Sequence, residues 1–154
     1  MIAPPRSTRA PKLFLVLLLL LPGSGAGQAR EVRDSLAKVR FEIHQKNWEN
    51  ASRVLANLER TGGCKPAVCL ATHALISDGT GAGPEALEYA RQAVAAGPDS
   101  GLDAAHYNDL GVLFCRRSEG KRELLQLAEK TLRHADSIDT SGASNIRFNL
   151  AKVL

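Results

Sequence analysis

Aromatic side chains are scarce in this 154-residue chain, where one Trp, two Tyr and four Phe make up 5% of the residues. Sheet cores draw on rings and β-branched residues alternating at period two, and no credible sheet can be drawn here. Metal-binding patterns are missing as well. His44, His73, His106 and His134 fall in separate segments, no H-E-x-x-H occurs, and the three cysteines form no C-x-x-C pair, so neither a zinc site nor any cofactor is expected. No basic stripe interleaved with aromatics runs along the chain, which excludes the usual footprint of a nucleic-acid binder. Long apolar runs are absent too: the longest, Leu13–Leu21, has nine residues, against the roughly 20 needed to span a bilayer as a helix.

That short run defines the amino-terminal segment. Arg6, Arg9 and Lys12 precede it and the small-residue stretch Pro22-Gly-Ser-Gly-Ala-Gly-Gln-Ala29 follows it, the layout of a secretory signal peptide over residues 1–29 with cleavage after Ala26 or Ala29. An uncleaved anchor is the rival, and the only reading that brings a membrane in. No cysteine follows the run and no arginine pair precedes it, which argues against a lipid-anchored or twin-arginine export route. Removing the segment leaves 17 Lys and Arg against 16 Asp and Glu. The alkaline balance of the whole chain is thus mostly a property of the export signal.

The remainder reads as all-α. The most informative stretch is Pro84–Phe114. Ala86, Leu87, Ala90, Ala93 and Val94 put one small-residue stripe on a helix, which Gly97-Pro98 stops. Ser100, with Asp103 three residues on, is the expected start of the next helix. On that helix Tyr107, Leu110, Gly111 and Phe114 share a face, a ring, a gap and a second ring suited to close antiparallel packing. Upstream, Val32, Leu36, Val39 and Ile43 mark one helix and Trp48, Ala51, Val54, Leu55 and Leu58 another, with Asn47 as its expected N-cap. Ala51, Leu55 and Leu58 recur as Ala86, Ala90 and Ala93 at a fixed offset of 35 residues, the mark of a repeat. Pro66–Ile76 is a short, bland helix followed by a turn over Ser77–Gly83, a charged turn is expected over Arg116–Arg122, and Leu124, Leu125, Ala128 and Leu132 mark the next helix. Asn149-Leu150-Ala151 then echoes Asp109-Leu110-Gly111 at an offset of 40.

This combination resembles the tetratricopeptide repeat, with Tyr107, Leu110, Gly111 and Phe114 matching its first helix and Ala86, Ala90, Ala93 and Pro98 its second. The resemblance implies a helix-turn-helix repeat solenoid of about three repeats, 30–63, 64–98 and 99–137, with the start of a fourth over 138–154. The first repeat lacks the Leu-Gly pair, having Lys38-Val39 in its place. In that family the first helices of successive hairpins line a concave groove that receives an extended peptide or a partner's helix. Asn108, Val112 and Arg116 would face it, one helical turn apart. The lysine and asparagine rows of family members that bind chain termini are not reproduced. The implied role is a non-enzymatic protein- or peptide-binding adaptor, exported to a bacterial periplasm or outside the cell. The alternative is an amino-terminal structural segment of a longer envelope protein.

Smaller motifs resolve into this picture. Cys64 and Cys69 are spaced for a disulfide in an exported chain, the alternative being two independent thiols, and Cys115 is expected as a small buried hydrophobe. Gly79-Thr-Gly-Ala-Gly83 has no Lys-Ser/Thr ending and no preceding strand, so it reads as a loop between helices. Ser35-Leu-Ala-Lys38 lacks every companion motif of the penicillin-binding enzymes. Asn50-Ala-Ser52 is a glycosylation sequon set inside a helix.

Overall fold

A computed structural model describes residues 24–154. Most of the segment read as a signal peptide, including Leu13–Leu21, lies outside the described residues. Those described form helices joined by short turns, with no strand among them: α1 (Ser24–His44), α2 (Trp48–Arg60), α3 (Pro66–Gly79), α4 (Gly83–Ala95), α5 (Ala104–Arg117), α6 (Arg122–Ile138) and α7 (Ser144–Ala151), with one 3-10 turn at Pro98–Ser100. The expectation of an all-α chain holds. No helix among the described residues is long and apolar enough to cross a membrane.

The helices pair as antiparallel neighbours in chain order, α1 with α2, α3 with α4 and α5 with α6, and α7 packs on α6. The first helices of these pairs also touch in sequence, α1 against α3, α3 against α5 and α5 against α7. Small side chains make the close pairing possible. Ala86, Ala90 and Ala93 are fully buried on α4, as are Leu110, Leu113 and Phe114 on α5 and Ala128, Leu132 and Ala135 on α6. The gap expected at Gly111 is real: a Cβ there would lie 2.6 Å from Leu132 Cγ, so the leucine of α6 fills the space a side chain would need. A second cluster, Val39, Ala51, Leu55, Leu58, Cys69 and Ile76, packs α1 and α2 onto α3, and Leu36 and Cys64 join it to the larger one.

Several local expectations give way to tertiary contacts. The helix expected to end at Ile76 runs on to Gly79, and the turn shrinks to residues 80–82. The extra turn carries Asp78, whose carboxylate is bound by Arg116 and Arg117 of α5. Gly79 then offers no Cβ because the indole ring of Trp48 lies against it. Gly81, at φ +88°, supplies the left-handed residue of the loop. For the same reason α5 extends through Arg117, and the charged turn is shorter than expected, residues 118–121. Nor is α3 bland: Ala67, Val68, Cys69, Ala71, Thr72, Ala74 and Ile76 are buried on several of its sides. Asn47 occupies the N-cap position of α2, but its amide donates to Glu42 Oε2 at 2.9 Å instead of capping. Ser100 ends the 3-10 turn, and Asp103 is the true cap of α5, accepting the His106 N–H at 2.9 Å.

Cys64, in the turn after α2, is bonded to Cys69 in the first turns of α3, with the two Cα atoms 5.9 Å apart. Cys115 is half-buried at the edge of the core, less enclosed than expected.

Two outcomes test this packing. Gly111→Ala should lower stability by about 1–3 kcal/mol in urea denaturation through overpacking, although alanine is the better helix former by about 1 kcal/mol. Adding Leu132→Ala should make the double variant less unstable than the two single losses predict. Denatured, unreduced protein should take up alkylating reagent at one cysteine and reduced protein at three. Reduction should cost about 2 kcal/mol, the chain-entropy value for so short a loop.

Candidate functional site

Where the first helices of the pairs meet, the described residues form a groove of about 830 Å³. Helix α1 contributes Arg40, Ile43 and His44, α3 contributes Leu75 and Asp78, and α7 contributes Asn145 and Ile146. The longest row comes from α5: Ala104, Ala105, Asn108, Asp109, Val112 and Arg116. Trp48, at the start of α2, and Asp139, Ser141 and Ala143 of the turn before α7 complete the lining. Apolar side chains from five helices therefore share the groove with charged ones, a lining suited to orienting a ligand through a few polar groups.

Asn108, Val112 and Arg116 all line this groove, as their spacing on one helical face requires. Their chemistry differs from the sequence-based picture in two respects. Asn108 is buried, and its carbonyl accepts a hydrogen bond from Asn149 Nδ2 at 2.9 Å, so it ties α7 to α5. Arg116 is bound to Asp78, although its side chain remains 61% exposed. Val112 is half-buried on the groove wall.

The groove's electrostatics are mostly closed internally. Asp78 has only 7% of its side chain exposed, and besides Arg116 it receives Arg117 Nε at 2.6 Å, with Arg117 Nη2 reaching the Asp78 carbonyl at 3.1 Å. Gly83 leaves room for that guanidinium, since a Cβ there would come within 2.9 Å of Arg117 Nη1. Arg40 crosses from α1 to the start of α5, where its Nη2 lies 3.4 Å from Asp103 Oδ1 and 3.0 Å from the His106 ring nitrogens. The His106 ring, 2.7 Å from Asp103, holds that carboxyl well below the usual carboxylate range, helped by the His106 backbone N–H and by Arg40. The Ser141 hydroxyl and backbone amide likewise lower Asp139.

Asp109 is the exception. Among the described residues no cation comes within ion-pair distance of it, and its only side-chain hydrogen bond is a long one, 3.5 Å from Asn108 Nδ2. Burial pushes its carboxyl above the ordinary range, against the more distant pull of Arg40, His106 and His44.

The sequence reading missed Trp48, Asp78 and Asp109 as groove residues. Trp48 reads as part of the core stripe of α2, and only Gly79, a glycine inside a helix, hints that a ring approaches there. Asp109 stands beside Leu110-Gly111, whose packing signal masks it. No group of three or more His, Cys, Asp or Glu among the described residues is placed to hold a metal ion. His73 stacks on Tyr89 and meets Glu59 at 2.8 Å, and His134 packs edge-on against Tyr107. Comparison of the chain with family models, curated proteins and solved structures finds no match.

Asp109 should make stability depend on pH in a defined direction. Its folded-state pKa lies above the ordinary 3.8. The folded state therefore holds the proton more tightly, and stability is lost as pH rises through the raised value. Asp109→Asn should raise the urea midpoint at pH 7, and the gain should fade as pH is lowered towards about 4, the ordinary carboxylate value. An unchanged midpoint at pH 7 would show the carboxylate to be adequately solvated.

Proposed function

We propose that this chain is an exported adaptor of the tetratricopeptide-repeat type, which holds an extended peptide or a partner's helix in the groove between its first helices. The observation that carries the reading is that α1, α3, α5 and α7 each contribute side chains to one groove. The contact order of those helices, the 35-residue offset of the alanine rows and the fit of Leu132 into the Gly111 gap support a stacked-hairpin solenoid. The bridged Cys64 and Cys69 suit an oxidising compartment, in line with the signal-like segment at residues 1–29. Binding is favoured over catalysis because Arg40, Asp78, Arg116 and Asp139 are already bound within the protein, and the groove's charged groups form no nucleophile–base pair.

Val112 offers the cleanest test, being on the groove wall without a polar partner to lose. A displayed library of extended peptides selected on the wild-type protein should yield binders whose affinity falls at least about tenfold, or ~1.4 kcal/mol, on Val112→Glu. The variant's circular dichroism should be unaltered. Selected peptides that bind the variant equally well would move the binding surface elsewhere.

A further inference from the structure

The carboxylates of the groove divide into two that are closely held by neighbouring groups and one that is not. Asp78 is neutralised by Arg116 and Arg117. Asp139 is held by the Ser141 hydroxyl and by the Ser141 and Ala143 amides. Arg40 directs its guanidinium to Asp103 and His106 at the start of α5. Among the described residues Asp109 is the groove carboxylate with neither an ion pair nor a short hydrogen bond, its one contact being 3.5 Å from Asn108 Nδ2, while it shares the groove with the apolar side chains of Ile43, Leu75 and Val112.

We infer that Asp109 is the specificity-determining group of the groove, and that it receives the cationic side chain of an arginine or lysine in an extended peptide segment of the partner. This inference rests on the adaptor reading above and names the chemistry of its ligand. An incoming guanidinium or ammonium supplies the charge partner that the fold leaves out. Its methylene stem can lie along the neighbouring aliphatic wall, as long basic side chains do on apolar surface. Arginine suits the position better than lysine, since its planar fork can meet both carboxylate oxygens. The fold also tolerates a carboxylate there at a cost: the burial that raises the Asp109 pKa disfavours its charged form, and a bound cation relieves that cost. The basic groups nearest Asp109, Arg40, His106 and His44, act on it from a distance and do not meet it at contact distance.

The test uses three fluorescent decapeptide pools, random except for a fixed central arginine, citrulline or glutamate, with binding read by anisotropy. Citrulline keeps the shape of arginine and removes its charge. The wild-type protein should bind the arginine pool about tenfold more tightly than the citrulline pool, the scale of one charge-assisted pair. Asp109→Asn should erase that preference, so that the arginine and citrulline pools bind the variant alike. Because this variant is expected to be the more stable one at pH 7, a lost preference cannot be ascribed to unfolding. Binding without an arginine preference, or a preference that survives in Asp109→Asn, would overturn the role of Asp109 and leave the groove reading standing, provided Val112→Glu still abolishes the signal. Tightest binding of the glutamate pool would overturn it in favour of Arg40, Arg116 and Lys46, a further cation of the groove lining, as anion receptors. If no pool binds, both readings fall.

Discussion

Everything else in this chain depends on helices approaching one another across residues with almost no side chain. Ala86, Ala90 and Ala93 let α4 lie against its neighbours, and Gly111 lets α5 accept Leu132 from α6. A helix pair separated by leucines on both sides would sit further apart, since the interaxial distance follows the side chains at the contact. With alanine on one partner and larger residues on the other, the pairs close up, and the first helix of each can touch the first helix of the next. The groove follows from that side-by-side arrangement.

Apolar packing of this kind is non-directional and leaves neighbouring helices some freedom to slide. Polar links remove it, and they converge on α5. Helix α1 reaches it through Arg40 to Asp103 and His106, α3 through Asp78 to Arg116 and Arg117, and α7 through Asn149 to Asn108. The contacts of Arg40 with His106, of Asp78 with Arg117 and of Asn149 with Asn108 are partly sheltered from water, where a misplaced partner leaves a desolvated group unsatisfied. The penalty for the wrong register, more than the strength of the right one, fixes how α1, α3 and α7 sit against α5. No buried side-chain nitrogen or oxygen among the described residues lacks a partner.

How much of this is legible in the residues depends on the range of the interaction concerned. The alanine rows, the Gly111 gap and the Gly97 stop follow from local spacing, and the structure has them where the spacing puts them. The ends of α3 and α5 do not follow from it, because they are set by Asp78 with Arg117, 39 residues apart in the chain. The same holds for Asn108, whose partner Asn149 is 41 residues away. Helix α3 reads as featureless because it is enclosed by several neighbours, so its apolar residues do not gather into one stripe. The row Asn108, Val112 and Arg116 could be placed on one face from its four-residue spacing. Which of its side chains are already committed could not.

Asp78 and Asp109 show why that distinction matters for the site. Both are carboxylates on the same groove and both are substantially withdrawn from water, yet only the first brings its counter-ions with it. A carboxylate with two guanidinium partners behaves as a fixed part of the scaffold, because separating the pair would strand a charge. A carboxylate without one is a local instability held in place by surrounding packing, the kind of compromise between stability and function expected where a surface has to recognise something. The rest of the groove's polar groups can hold the helices in register and still leave this one position open. In this arrangement the polar groups that hold the helices in register are distinct from the one carboxylate of α5 that is left without a counter-ion among the described residues.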